Sequence, residues 1–136
     1  MNELSPSVLV VEDEPAQAEM LAYNLESEGF RVIRAADGSE ALLLVEEEAP
    51  DLILLDWMLP GTSGIEVCRR IKLRPASRLT PVIMISTLTF EAAEAAIRAL
   101  ELGAFECIGK PIGGDLIKAF ADLPDLVRAA AKSSRV

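Results

Sequence analysis

Short runs of β-branched and aliphatic residues alternate along the chain with longer stretches in which apolar positions recur every three or four residues. Ser7-Val8-Leu9-Val10-Val11-Glu12 is continuous, Val-rich and short, the pattern of a strand buried on both faces. Pro15 then opens a helix in its first turn, where the missing N–H costs nothing. Ala18, Leu21 and Leu25 form its apolar stripe and Gly29 its C-terminal cap. Phe30 to Ala35 reads as a second strand, and Gly38 to Ala49 as a helix with Ala41, Leu42, Val45 and Ala49 on one face. Asp51 to Asp56 is a third strand, apolar on both faces and ending on a carboxylate. After the Pro60-Gly61 turn, the spacing predicts a helix from Ser63 to Leu73 with Ile65, Cys68 and Ile71 inward. Pro81 to Ser86 is a fourth strand, Phe90 to Leu102 an Ala-rich helix closed by Gly103, and Phe105 to Gly109 a fifth strand. Pro124 splits the last helical region, one helix ending near Leu123 and another running from Asp125 to Ala131.

Five strands, each followed by a helix, predict an α/β fold: an open parallel sheet in the order 2-1-3-4-5 with helices on both faces and right-handed crossovers. Residues 1–6 are expected to be an extension, 7–123 one domain and 124–136 a helical tail that frays at its end. The chain's 136 residues, 51% of them apolar, suffice for one domain with a real core. No apolar run reaches the roughly 20 residues of a membrane span, and Met1 to Ser7 lacks the marks of a secretory signal. Thirteen basic against 22 acidic side chains leave a net charge of −9, which argues against binding nucleic acid through a basic surface. Histidine is absent, so a histidine metal site or a His-dependent triad is excluded. Cys68 and Cys107, both in apolar surroundings, read as buried thiols of a reducing cytoplasm rather than a disulfide framework. The run Glu46-Glu47-Glu48 reads as a solvated surface.

Ligands of such sheets bind beyond the C-terminal ends of the strands, at the point where strand order reverses. There the polar residues are few. Strand one ends in Glu12-Asp13, strand three in Asp56, strand four in Ser86-Thr87, and strand five leads into Lys110. The order 2-1-3-4-5 gathers the three carboxylates around one crevice, with Ser86 and Lys110 on its far side. Two like charges 4 Å apart repel by about 4 kcal/mol at an effective dielectric near 20, so a proton or a divalent cation must relieve the cluster. All-oxygen ligation with room for water and phosphate describes Mg²⁺. A carboxylate beside that ion is able to attack phosphorus and become an aspartyl phosphate. Lys110 then offers a point charge, and the Ser86 hydroxyl a hydrogen bond, to the phosphoryl oxygens. Taken alone, Asp13 would be a helix cap ahead of Glu14-Pro15, and Asp56 the start of a turn. The convergence of four strand ends on one chemistry is what favours a site.

Val8 to Pro15, Leu52 to Gly61 and Gly109-Lys110-Pro111 resemble the receiver domain of two-component response regulators, over residues 7 to 123 and with all five landmark positions present. The resemblance implies a CheY-like, flavodoxin-like fold and phosphoryl transfer from a histidine kinase or phosphotransfer protein to Asp56. It implies Mg²⁺ held by Asp13, Asp56 and the backbone carbonyl of Met58, with Glu12 ligating mainly through water. It also implies Ser86 as the hydroxyl switch, Lys110 as the phosphate partner and a cis Lys110–Pro111 peptide. Up to Pro81 the chain is most similar to receivers of winged-helix transcription regulators. From Val82 on, through Met84 to Thr89 and Ala99 to Ala104, it is more like receivers of chemotaxis methylesterases.

Two positions depart from the family pattern. Cys107 stands three residues before Lys110, where an aromatic ring usually reports the switch, which puts the ring-based part of the switch in doubt. Thr87 replaces the usual alanine beside Ser86, and its bulk predicts slower access of donors and water to the acyl phosphate. A phosphoryl group adds about −1.5 to −2 charges at one spot. Residues 90 to 108 and the last helix form the face expected to repack and meet a partner or a second copy. Trp57 is expected on a partly exposed loop. The reading is thus a cytoplasmic signalling domain, not an enzyme acting on a separate substrate, with no membrane or nucleic-acid contact of its own. A phosphatase of the haloacid dehalogenase type would need an acid two residues after Asp56, where Met58 stands. A flavin phosphate would be repelled by Glu12-Asp13-Glu14. A receiver-shaped scaffold that never takes phosphate is the remaining alternative.

Overall fold

Backbone pairing realises the alternation of buried runs and amphipathic stretches. In the computed structural model, residues 5–56, 59, 61–87, 101, 106–110, 125, 128 and 129 are described, with 86, 87 and 106–110 as backbone only. The elements are β1 (Ser7–Val11), α1 (Pro15–Ser27), β2 (Arg31–Ala35), α2 (Gly38–Glu48), β3 (Leu52–Asp56), α3 (Gly64–Leu73), β4 (Val82–Thr87) and β5 (Glu106–Lys110). They form one sheet in the order β2-β1-β3-β4-β5, every pairing parallel. The expected strand order is therefore observed.

All five residues of β1 and all five of β3 are buried, as central parallel strands covered on both faces require. The edge strand β2 differs, with Arg31 and Arg34 exposed. Successive side chains of a strand point to opposite faces, and the core divides accordingly. Leu9, Val11, Ile53 and Leu55 pack with Ala41 and Val45 of α2 and with Val67, Cys68 and Ile71 of α3. Val8, Val10, Leu52 and Leu54 pack with Leu21 and Leu25 of α1. Helices lie on both faces because the chain steps from β1 to β2 in one direction and from β2 past β1 to β3 in the other. Crossovers of one hand place those connections on opposite sides.

Three helix starts are chemically specified. The Glu14 carboxylate accepts from the Ala16 amide at 3.0 Å, with Pro15 at the first position of α1. Asp37 accepts from the Glu40 amide at 2.8 Å, and Ser63 from the Glu66 amide at 3.3 Å. Gly29, just past α1, has φ +94°, and Gly61, in the turn before α3, has φ +76°. Both are conformations that side chains disfavour.

Several boundaries and faces differ from the sequence-based expectation. Glu12, Phe30, Asp51 and Pro81 fall just outside their strands, while Thr87 and Lys110 fall inside. Ala49 is not part of the buried face of α2: it is exposed and terminates the helix in a left-handed conformation, φ 45°. Pro50 follows and cannot continue the helix. On α3 Val67 joins Cys68 and Ile71 on the buried face, while Ile65 is only partly buried. Glu46, Glu47 and Glu48 are solvated as expected. Residue 101 is helical, as are Asp125, Arg128 and Ala129. The rest of the expected helix over 90–102, the remainder of the C-terminal helices, Trp57, Met58 and the Lys110–Pro111 peptide lie outside the described residues. So do the side chains of Ser86, Thr87, Cys107 and Lys110.

Candidate functional site

Strand ends assemble the carboxylates. β1 and β3 pair in parallel through Val11↔Leu55, so the next residue of each, Glu12 and Asp56, comes out level at the same end of the sheet. The Glu12 amide extends the ladder by one more bond, donating to the Ala35 carbonyl at 3.0 Å. Glu12 is 4% exposed and Asp56 5%, both deep for carboxylates. Asp13 stands above them, exposed, on the turn into α1. Carboxylate oxygens of Glu12, Asp13 and Asp56 lie within 4.8 Å of one another. The structure thus brings together the three acidic residues that the sequence placed at one crevice. Among the described residues this is the one such acidic, cysteine or histidine grouping.

The structure also separates the roles of neighbouring acids. Asp13 does not cap α1; Glu14 does. Glu12 is oriented by its backbone surroundings, because Oε2 accepts from the Glu14 amide at 3.2 Å. Three negative groups with oxygens this close repel unless a positive charge is shared among them. An all-oxygen donor set of this kind suits a hard dication. Two donors are fixed by strands and one lies on an exposed turn, so the group is rigid on one side and accessible on the other.

Across the sheet, the Asp56 row continues as Asp56↔Ile85 and Ile85↔Ile108. β4 and β5 run two residues further, ending in the pair Thr87↔Lys110, with Ser86↔Gly109 before it. The backbones of residues 86 and 110 therefore stand at the same end of the sheet as Asp56. Lys110 lies two strand spacings away from Asp56, roughly 10 Å across the sheet.

Beside the carboxylates a cleft of about 190 Å³ is lined by Glu12, Asp13, Pro15, Arg34, Ala36 and Glu40 among others. Arg34 and Glu40 were not singled out from sequence. Glu40 was legible in principle, since Asp37-x-x-Glu40 has the spacing of a capping box. In the structure Glu40 Oε1 accepts from the Ala36 amide at 2.7 Å. Arg34 carried no signal beyond being a charge on an edge strand. A larger cavity, about 560 Å³, is lined by residues such as Pro50, Arg74, Pro75 and Thr80. It sits where β3 and β4 begin, the end of the sheet away from the carboxylates.

Comparison with known proteins agrees with this geometry. A family described as the response regulator receiver domain matches residues 8–122. The chain is 46% identical over 106 residues to the phosphate regulon transcriptional regulatory protein PhoB of Rhizobium meliloti, covering 78% of this chain and 46% of that protein. It is 41% identical over 129 residues to a protein-glutamate methylesterase/protein-glutamine glutaminase of Agrobacterium fabrum, covering 93% of this chain and 35% of that protein. Both resemblances noted in the two parts of the sequence are thus matched, and the methylesterase likeness extends into the N-terminal part as well. The chain spans less than half the length of either relative. Among solved structures, the receiver domain of the sensor histidine kinase PA1611 of Pseudomonas aeruginosa superposes with a TM-score of 0.80 at 26% identity. That match covers 94% of this chain and 98% of that one, and the PA1611 structure has a magnesium ion coordinated in its active-site cleft.

Proposed function

Because the chain belongs to the response regulator receiver family, we propose that it accepts a phosphoryl group on Asp56 from a histidine kinase or phosphotransfer protein. The observation that carries this reading is the meeting of Glu12, Asp13 and Asp56 oxygens within 4.8 Å at the end of the central strands. Asp56, fixed at the end of β3, is the acceptor because it holds the acceptor's place in the receiver pattern. Its oxygen attacks phosphorus, the bond from phosphorus to the donor's imidazole nitrogen breaks, and an acyl phosphate results. Asp13, Asp56 and the Met58 carbonyl would hold Mg²⁺ directly and Glu12 mainly through water. When bound, that ion would neutralise charge on the phosphoryl oxygens.

Lys110 supplies a second positive point charge to those oxygens. The end of β5, level with the end of β4, supports that assignment. Ser86 donates a hydrogen bond to a third oxygen once the loop after β4 closes on the phosphoryl group. Thr87 narrows the approach of water and donors, and Cys107, lacking a ring, leaves the switch to Ser86 and to backbone repacking. Pro111, directly after Lys110 in the sequence, modulates the switch. Residues 90–108 and the last helix present the changed face to a partner or to a second copy of the chain. The receiver spans residues 7–123, between the short extension of residues 1–6 and the helical tail of residues 124–136. It works in the cytoplasm as a signalling domain that promotes its own phosphorylation and dephosphorylation.

Incubation with Mg²⁺ and acetyl phosphate tests this directly by intact mass. The wild-type chain should gain one phosphate, and Asp56→Asn should gain none. A wild-type chain that gains no phosphate under these conditions would overturn the reading.

A further inference from the structure

We infer that Gly38 is a positioning residue for this site, its missing side chain setting where Thr62 lies on the loop between β3 and α3. The inference rests on the receiver reading, since the Met58 carbonyl assigned to the metal belongs to that loop. Gly38 is the first residue of α2 and is buried. A Cβ at this position would lie 2.7 Å from Val67 Cγ2, 3.1 Å from the Thr62 carbonyl oxygen and 3.2 Å from Thr62 Cβ. Carbon atoms in favourable contact stand about 3.5–4.0 Å apart, so something must move to admit even a methyl group.

Val67 has no room to yield. It is 0% exposed, packed in the α2–α3 core, and a helical valine is held to one rotamer. Thr62 is the softer neighbour, because it lies on the loop between β3 and α3. That loop is fastened at three points along the sequence. Asp56 ends β3, Leu59 is 9% exposed within the core cluster, and Thr62 rests against Gly38. Residue 58 falls between the first two points. Displacing Thr62 therefore moves an anchor of the stretch between Asp56 and α3.

Backbone strain does not explain a glycine here, since positive φ occurs at Gly29 and Gly61 and not at Gly38. Helix propensity argues the same way, because alanine is the better helix former. Loss on Gly38→Ala must therefore come from the steric contact.

The test compares wild type, Gly38→Ala, Val67→Ala and the double variant, all without phosphodonor. Far-UV circular dichroism checks folding, amide hydrogen exchange reads residues 61–63 without metal, and fluorescence of the single tryptophan, Trp57, reads Mg²⁺ binding. Gly38→Ala should exchange faster at residues 61–63 and bind Mg²⁺ about tenfold more weakly, the usual size for a residue acting behind metal ligands. In the double variant, where Val67 Cγ2 is gone, most of that loss should be recovered relative to Val67→Ala alone. If Gly38→Ala fails to fold, the same comparison in the Val67→Ala background decides. Wild-type exchange and wild-type Mg²⁺ affinity in Gly38→Ala would overturn the inference, as would a loss that removal of Val67 Cγ2 does not relieve. Should the wild-type chain bind no Mg²⁺, the receiver reading fails, while exchange at residues 61–63 still decides whether Gly38 holds the loop.

Discussion

Adjacent acids at residues 12 to 14 do three different things, and the difference is one of burial and direction. Glu12 continues the line of β1, is buried and accepts from the Glu14 amide. Glu14 turns back to cap α1. Asp13, between them, does neither and is exposed, with a carboxylate oxygen within 4.8 Å of oxygens of Glu12 and Asp56. Asp13→Asn should therefore act in opposite senses on two measurements. Removing one of three repelling charges should raise metal-free stability by on the order of 1 kcal/mol at the high dielectric of an exposed group. Mg²⁺ affinity, followed by titration calorimetry, should fall at least tenfold, because a ligand is lost. Lower metal-free stability with unchanged Mg²⁺ affinity would mean that Asp13 is structural.

At the scale of the element, α3 shows how a helix near the site is held at its N-terminal turn. Ser63 caps its first turn, and Glu66, still within that turn, accepts from Arg69 Nε at 2.9 Å and Arg70 Nε at 2.8 Å. Those two guanidinium groups, Arg69 first, hold the Glu66 carboxyl down at about 2 from its usual 4.5. A lowered carboxyl contributes stability above the unfolded value and loses it as pH falls through the folded one. Glu66→Gln should therefore melt slightly below wild type at neutral pH. The difference should shrink from pH 4.5 downward and vanish near pH 2. The effect stays small because all three side chains face solvent, where water and salt screen the pair. A gap between the two melting curves that does not change with pH would show that packing, not charge, is responsible.

Across the whole molecule, parallel pairing gives the sheet two chemically different ends. Every strand finishes at the same end, so Glu12, Asp56, Thr87 and Lys110 share it although nearly a hundred residues separate the first from the last. The opposite end is a structural seam. The Asp51 carboxylate accepts from the Ser7 amide at 2.8 Å and from its hydroxyl at 3.3 Å, while Ser7 Oγ accepts from the Asp51 amide at 3.2 Å. Ser7 is 2% exposed, so Asp51→Ala strands a buried amide and should cost about 1–3 kcal/mol in denaturant melts. Phosphorylation by acetyl phosphate should persist under native conditions, because the seam lies a full strand length from Asp56. A far smaller loss of stability would mean that water replaces the carboxylate. Arg128 also reaches back to Glu28 Oε1 at 2.8 Å and over the Phe30 ring at 5.3 Å, joining the C-terminal helix to the end of α1.

Residue identity alone determined where the strands and helices start and which carboxylates end strands, because each depends on local signals; the strand order followed from general rules for α/β sheets. Runs of Val, Leu and Ile declare buried strands, Pro15 and Ser63 declare helix starts, and carboxylates that end strands declare a site. Local signals do not carry rotation about a helix axis or the separation between elements. Hence Val67 rather than Ile65 faces inward, Ala49 turns out into solvent, and Glu14 rather than Asp13 caps α1. The clearance at Gly38 likewise exists only where α2 meets the loop before α3. Such contacts join positions distant in sequence, and close packing sets them to within fractions of an ångström, a precision that spacing along a chain does not encode.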